Sequence, residues 1–304
     1  MITDLTGTQL FVREAAEEDR QKISNLLHFE LRVHRHLDWR TPLEWLGSSP
    51  FIVGEAQGRI VGALVCPVDP EGIAWLQLFV ASAGRPVADI WRPLWAKALS
   101  VLEPQQGLTL AAIPMHDWLV TLLKQDGFTL ANEVVVLQWG YDQPLERFEG
   151  PPVTIRPMQP EELEQVWRVD AGAFKVLWQN SLPSLELAYQ QSSIATVAED
   201  ETGIIGYQIS TTSSMGGHLA RLAVLPSHQG RRIGYALVND LLRQFVFRGI
   251  FHVTVNTQAD NHASLRLYEK MGFQRTGESY PVYTNTPGIS GDALNRKPLW
   301  GLGE

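Results

Sequence analysis

A single cysteine, Cys66, stands in 304 residues, so no internal disulfide framework braces this chain, and a reducing compartment is expected. No apolar run approaches the ~20 residues that span a bilayer. The opening residues, Met1-Ile2-Thr3-Asp4, carry no basic stretch followed by an apolar one, so no secretory leader is expected and the cytoplasm is the expected location. Positive charge is in short supply: 25 lysines and arginines face 33 acids. A formal net charge of −8 argues against nucleic acid as the main partner and favours the approach of a cationic amine. No membrane partner is expected, and the sequence leaves the oligomeric state open. Histidines and acids fall at no metal-ligand spacing; His28, His34 and His36 come closest and read as a solvated or packed helix end, so no metal is expected. The hydrophobic content of 44% is enough for real cores in two domains of ordinary size.

The most informative stretch is Leu222-Ala223-Val224-Leu225-Pro226-Ser227-His228-Gln229-Gly230-Arg231-Arg232-Ile233-Gly234-Tyr235-Ala236. An apolar strand stops at Pro226, and a polar loop with glycines and arginines follows. A helix then begins, repeating Ile233, Leu237, Leu241 and Phe245 on one face. Such a strand–loop–helix aims unpaired backbone N–H groups and a positive helix end at one point, which suits a phosphate or pyrophosphate.

A second block, Asn261-His262-Ala263-Ser264-Leu265-Arg266-Leu267-Tyr268-Glu269-Lys270-Met271-Gly272-Phe273, lies downstream. Asp260 or Asn261 caps a helix there, Ser264 and Tyr268 share its face, and Gly272 supplies a left-handed stop. An amphipathic helix and a strand over Phe251–Thr257 separate the two blocks.

In that order the blocks resemble the two signatures of the GNAT superfamily of N-acetyltransferases, Gln/Arg-x-x-Gly-x-Gly/Ala and Asn-x-x-Ala/Ser-x-x-x-Tyr-x-x-x-Gly-Phe. Two frames can be laid on the first signature. Gln229-x-x-Arg232-x-Gly234 has arginine in place of the first glycine, whereas Arg231-x-x-Gly234-x-Ala236 fits fully. In the first frame a helical, outward-pointing Arg232 leaves its backbone N–H to serve.

The resemblance implies acetyl-CoA as co-substrate. Leu222, Ala223 and Val224 would pair with the pantetheine amides, and the Val224 N–H would polarise the thioester carbonyl. Gln229, Gly230, Arg231, Arg232, Ile233, Gly234 and Tyr235 would hold the phosphates. Asn261 and Ser264 would bond the pantetheine arm, and Tyr268 would protonate the departing thiolate. Some relatives carry a glutamate base five residues before the motif asparagine. Here that residue is Asn256, which orients a water rather than taking a proton; His218 and His252 are the alternatives. Lacking that carboxylate, the site favours an α-amine, of pKa about 7.7–8.0, over a lysine at about 10.4. In the family, acceptor specificity comes from segments corresponding to Phe174–Asn180 and Tyr280–Tyr283.

The chain also repeats itself. Val12-Arg13-Glu14-Ala15 aligns with Ile155-Arg156-Pro157-Met158, Glu55…Gly62 with Glu199…Gly206, and Asp126-Gly127-Phe128 with Met271-Gly272-Phe273, at offsets of 143, 144 and 145. The expected architecture is therefore α/β with mixed sheets, two tandem GNAT acyl-CoA N-acyltransferase domains over 1–146 and 147–304, joined by a linker at Asp142–Pro152. In each copy an opening strand, at Leu10–Arg13 or Val153–Arg156, leads to helices and a hairpin. The first copy has Arg85-Pro86-Val87-Ala88-Asp89-Ile90 at the phosphate loop, Leu123 for Tyr268 and His116 for Asn261. It is expected to keep the scaffold without binding cofactor. The expected activity is transfer of acetyl from acetyl-CoA to a primary amine, either a small molecule or a peptide N-terminus, in a ternary complex. A non-catalytic CoA-binding module and a transferase of longer acyl chains are the alternatives.

Overall fold

A computed structural model describes residues 10–103, 105, 107–140, 142–143 and 153–286. The linker residues 144–152, and the tail with Pro287, Gly288 and Gly291, lie outside the described residues. The chain forms two compact units, residues 10–131 with 281–286 and residues 132–280.

The first unit runs β1 (Phe11–Glu14), α1 (Arg20–Phe29), β2 (Arg32–Arg35), β3 (Phe51–Ala56), β4 (Arg59–Val65), β5 (Ile73–Trp75), β6 (Leu78–Ala81), α2 (Val87–Leu102), β7 (Thr109–Ala112) and α3 (Asp117–Gln125). An antiparallel sheet orders β1-β3-β4-β6-β2. Gln57 and Gly58 both take positive φ, 51° and 73°, which gives the β3–β4 hairpin the turn that suits strand twist. Strand β5 lies parallel to β7, and residues 283–285 lie antiparallel on β7. The core sits under α2, where Trp91 and Trp95 stack at 5.1 Å.

The second unit contains β8 (Thr129–Gly140) from Asn132 onward, then β9 (Thr154–Pro157), α4 (Leu163–Ala173), α5 (Leu182–Gln190), β10 (Ile194–Asp200), β11 (Gly203–Ser213), β12 (Gly216–Val224), α6 (Ile233–Phe247), β13 (His252–Gln258), α7 (His262–Lys270) and β14 (Gln274–Asn285) up to Tyr280. Its strands order β8-β13-β12-β11-β10-β9, with β12 and β13 parallel and the other pairs antiparallel. Ile233, Leu237, Leu241 and Phe245 of α6 are all buried.

Shared devices mark the two copies. Arg13 bridges Asp19 at 2.6 Å and Glu55 at 2.5 Å; Arg156 bridges Glu162 at 2.7 Å and Glu199 at 2.8 Å. Each arginine ties the opening strand to a helix entrance and a hairpin, and each pKa is raised chiefly by its hydrogen bond to the capping acid. A bulge falls at Gly54/Glu55 in one copy and Ala198/Glu199 in the other. Opposite it, a Cβ on Gly62 would lie 2.3 Å from Ile90 Cγ2, and one on Gly206 would lie 3.0 Å from the Ala223 carbonyl oxygen. Hairpin and neighbour approach too closely for a side chain in both. No helix among the described residues is long and apolar enough to cross a membrane.

His28 stays at the surface, His34 is buried and His36 is half-buried. His34 donates through Nε2 to the Leu76 carbonyl at 3.0 Å, and His36 stacks on Trp75 at 4.9 Å. Among the described residues no His, Cys, Asp and Glu group is arranged to hold a metal. Burial lowers the pKa of His34 to about 4 and of His36 to about 3. The unfolded chain therefore takes up these protons first as pH falls. Stability present above pH ~6.5 is lost as pH falls toward about 4 for His34 and about 3 for His36, at up to about 1.4 kcal/mol per pH unit for each histidine. His36→Phe keeps the stack on Trp75 and removes one titrating group. Urea midpoints at pH 7 and pH 5 should differ less in this variant than in wild type; equal differences would contradict the assignment.

Candidate functional site

The second unit contains a cleft that follows from its strand pairing. Strands β12 and β13 pair from Gly217↔Val253 to Leu219↔Val255. On the other side of β12, Ser210 faces Leu219 and Ile209 faces Arg221, leaving Ala220 as a bulge. Past this bulge the two strands part. Leu222, Ala223 and Val224 pair with Gln208, Tyr207 and Gly206 of β11, while Asn256, Thr257 and Gln258 pair with β8. Leu225 N–H donates to the Ile205 carbonyl at 2.9 Å, so by alternation Ala223 turns its backbone groups toward β11. Those of Leu222 and Val224 face the open side. Of the three residues expected to pair with pantetheine, two thus present their amides to the cleft. The Val224 carbonyl accepts from Gln229 Nε2 at 3.0 Å.

At the end of the cleft, Pro226–His228 makes a tight turn, Gly230 takes φ 77° and α6 opens at Ile233. Arg232 is the N-cap residue, at φ 65° and ψ 14°. It is left-handed, not helical as expected, and that is the conformation a glycine adopts without strain. The frame Gln229–Arg232–Gly234 is therefore the one the backbone follows. Arg231 and Arg232 are exposed, with the Arg232 guanidinium 5.8 Å from the Tyr235 ring centre. Ile233 is buried in an apolar cluster with Leu237. The first turn of α6, from Ile233 to Tyr235, turns its N–H groups toward the loop and forms the positive end of the helix.

On α7, the Asn261 side chain accepts from Ser264 N–H at 3.2 Å and donates to Gln258 Oε1 at 3.3 Å. Asn261 is thus the helix cap, and Ser264 is half-buried one turn in. Tyr268 is 4% exposed, its ring tilted on Phe273 at 5.5 Å, and burial pushes its phenol above the usual tyrosine range. Asn256 is exposed on β13 at the open edge. His218 shares its face: Nδ1 lies 2.8 Å from the hydroxyl of Thr254, two residues before Asn256. Burial lowers the His218 pKa below the ordinary histidine value. His252 is an exposed side chain 3.4 Å from Gln138.

The first copy treats the same place differently. Strand β5 pairs with β7, the chain breaks direction at Leu76-Gln77, and β6 then carries β2 along its edge, with His34↔Phe79 and Arg35↔Leu78 in register. Helix α2 starts after Pro86 with Asp89 in its first turn, and the Glu30 carboxylate already accepts the Ala83 N–H at 2.8 Å. His116 caps α3 without a side-chain hydrogen bond, and Leu123 is fully buried in the apolar core.

Two features depart from the sequence reading. Val282 and Tyr283 were expected beside the second copy's acceptor site. Instead Tyr283 pairs with Ala112 and packs into the first unit's core, because the chain's last described strand runs along β7. Unexpected, in turn, is a buried ionic group on α4, β11 and β12. Arg221 donates to Asp170 at 2.8 Å and 2.9 Å and to the Trp178 carbonyl at 2.6 Å, and the Tyr207 hydroxyl also donates to Asp170. An acid on the apolar face Leu163, Val166, Val169 and an arginine inside an apolar strand were the available signals.

Residues 163–273 match the acetyltransferase (GNAT) family. The segment is a GNAT domain. Family members generally use acetyl-CoA, and the left-handed loop, helix end and open strand edge fit such a group. The chain is 27% identical over 292 residues to mycothiol acetyltransferase of Amycolatopsis mediterranei, covering 85% of this chain and 94% of that one. It is 28% identical over 102 residues to N-alpha-acetyltransferase 30 of Schizosaccharomyces pombe, covering 32% of this chain and 68% of that protein. It spans only 34% of a third relative, the Bacillus subtilis spore coat polysaccharide biosynthesis protein SpsD. A tandem GNAT protein from the clavulanic acid biosynthesis pathway aligns with TM-score 0.60 at 17% identity, over 93% of this chain and all of that one, which speaks to the fold.

A Cβ on Gly234 would sit 3.3 Å from Leu267 and 3.8 Å from Val224, at the helix end where an anion would lie. Gly234→Asp adds bulk and negative charge there, so titration with acetyl-CoA should show affinity reduced by about 100-fold or more. Wild-type affinity would remove the loop from the phosphate site.

Proposed function

We propose that this chain is an acetyl-CoA-dependent N-acetyltransferase that works through its second GNAT domain on a primary amine, either a small molecule or a peptide N-terminus. The observation that carries the reading is the parting of β12 and β13 beside a left-handed loop and the positive end of α6. Acetyl-CoA supplies an activated acetyl thioester. Gly230 to Tyr235 hold its phosphates, with Arg231 and Arg232 adding charge, and the cleft-facing backbone groups of Leu222 bond the pantetheine arm. Asn261, as helix cap, fixes α7 and leaves Ser264 as the polar group of that helix toward the arm. The Val224 N–H polarises the carbonyl, and Tyr268 gives its proton to the departing thiolate. The attacking amine must be neutral. Asn256 orients a water that removes the proton, and His218, held neutral by burial, is positioned on the same face to receive it.

The first copy is proposed to serve as scaffold alone. Its strand edge carries β2, its loop amide carries Glu30, and Asp89 adds a further negative charge.

Tyr268→Phe deletes one hydroxyl and keeps the ring in its cluster. Free-thiol release with acetyl-CoA and an accepted amine should fall by about 10²–10⁴ in kcat, with cofactor affinity nearly unchanged. Because burial raises the phenol's pKa, wild type should keep its rate well above the usual tyrosine range. Equal rates in the two proteins would leave Tyr268 a packing residue. Cofactor binding without thiol release across a broad amine screen would instead favour a non-catalytic CoA-binding module.

A further inference from the structure

The buried ionic group of the second unit has a counterpart that shows what the fold itself requires. Strand registers equate Tyr207 with Ala63 and Arg221 with Leu78: Tyr207↔Ala223 and Ile209↔Arg221 in one copy match Ala63↔Val80 and Val65↔Leu78 in the other. Helix α4 matches α1 at the 143-residue offset, which equates Asp170 with Leu27. Leu27, Ala63 and Leu78 lie together in a single apolar cluster. The same scaffold therefore packs without any charge at these places.

Burying an ion pair carries a desolvation cost that apolar residues of similar volume avoid, so stability alone gives no reason to retain Asp170, Tyr207 and Arg221. Their contacts supply another reason. Outside the triad, the side-chain hydrogen bonds of Asp170 and Arg221 run to the segment after α4. Arg221 donates to the Trp178 carbonyl at 2.6 Å and lies 3.8 Å above the Phe174 ring, and Asp170 accepts the Asn180 N–H at 2.9 Å. Gln179 knots the same turn by donating to the carbonyls of Ala171 and Phe174 at 2.9 Å and 3.0 Å. Arg221 itself sits between the bulge at Ala220 and the cleft-facing amide of Leu222. A single guanidinium thus fastens the chain over 174–180 to the point where the central strand begins to open.

We infer that Arg221 is a positioning residue for the acyl acceptor: with Asp170 and Tyr207 it fixes segment 174–180 as a rigid wall beside the reacting end of the cleft. This rests on the acetyl-transfer reading above, together with the expectation from the sequence that Phe174–Asn180 sets acceptor specificity. It explains why the charged set is present in the copy with the open cleft and replaced by Leu27, Ala63 and Leu78 in the copy whose edge is filled.

The test gives the second copy the first copy's residues, Asp170→Leu with Tyr207→Ala and Arg221→Leu, in the full chain. A milder Arg221→Lys keeps the charge and loses the planar fork and the stack. Both variants should fold and bind acetyl-CoA within about threefold of wild type, while amide hydrogen exchange over 174–180 accelerates about tenfold or more. With acetyl-CoA as donor and a hexapeptide bearing a free N-terminal amine as probe, KM for the peptide should rise about tenfold and KM for acetyl-CoA stay in place. Unchanged exchange over 174–180 in both variants would overturn the inference. So would loss of the native fold in both, which would make the ionic group a structural requirement. Wild type that fails to bind acetyl-CoA, or to acetylate any amine, would defeat the functional reading instead, and the exchange comparison would still judge the clamp.

Discussion

A β-strand edge presents a row of N–H and C=O groups that must find partners, in protein, ligand or water. Both copies in this chain build the same situation: a central strand that pairs with one parallel neighbour for three residues and then turns away from it. The first copy answers with its own chain. Residues between α1 and β3 form β2 and lie antiparallel on β6, where His34 and the His36 N–H also satisfy the carbonyls of Leu76 and Gln77. In the second copy the corresponding residues form a short turn and α5 instead, and the amides of Leu222 and Val224 face an open groove. Everything proposed about the two halves grows from how that one edge is completed.

Electrostatics follow the same division. Where β2 fills the edge, the neighbouring loop amide is held by Glu30 and the helix opens with Asp89, an arrangement that complements the positive helix end internally. Where the edge is open, no acid lies in the first turn of α6, and Arg231 and Arg232 stand at the surface beside it. Strain is placed there too, since Arg232 holds a left-handed conformation that costs a non-glycine residue about 1 kcal/mol or more.

The repeat and the mixed α/β class were legible because they rest on periodicity and on a few irreplaceable residues. Gly62 and Gly206 sit where a neighbour approaches too closely for a side chain, and Arg13 and Arg156 each need two acids at fixed offsets. The Asn261 to Phe273 block was legible for a similar reason, as a cap and a stop bracket a short helix. Less legible was anything set by tertiary pairing. Arg32–Arg35 has no strand signature of its own and becomes a strand because β6 offers an edge. Tyr283 reads as a pocket aromatic in one dimension and is a core residue of the other unit in three. Asp170, Tyr207 and Arg221 lie 37 and 14 residues apart, and neither local pattern reveals that they meet.

Two copies of one fold with different answers at the same edge make the account directly measurable. Calorimetric titration of the full chain with acetyl-CoA counts the open edges. The account predicts one site per chain, lost in Gly234→Asp. Two comparable sites in wild type, or one site that survives that substitution, would contradict it.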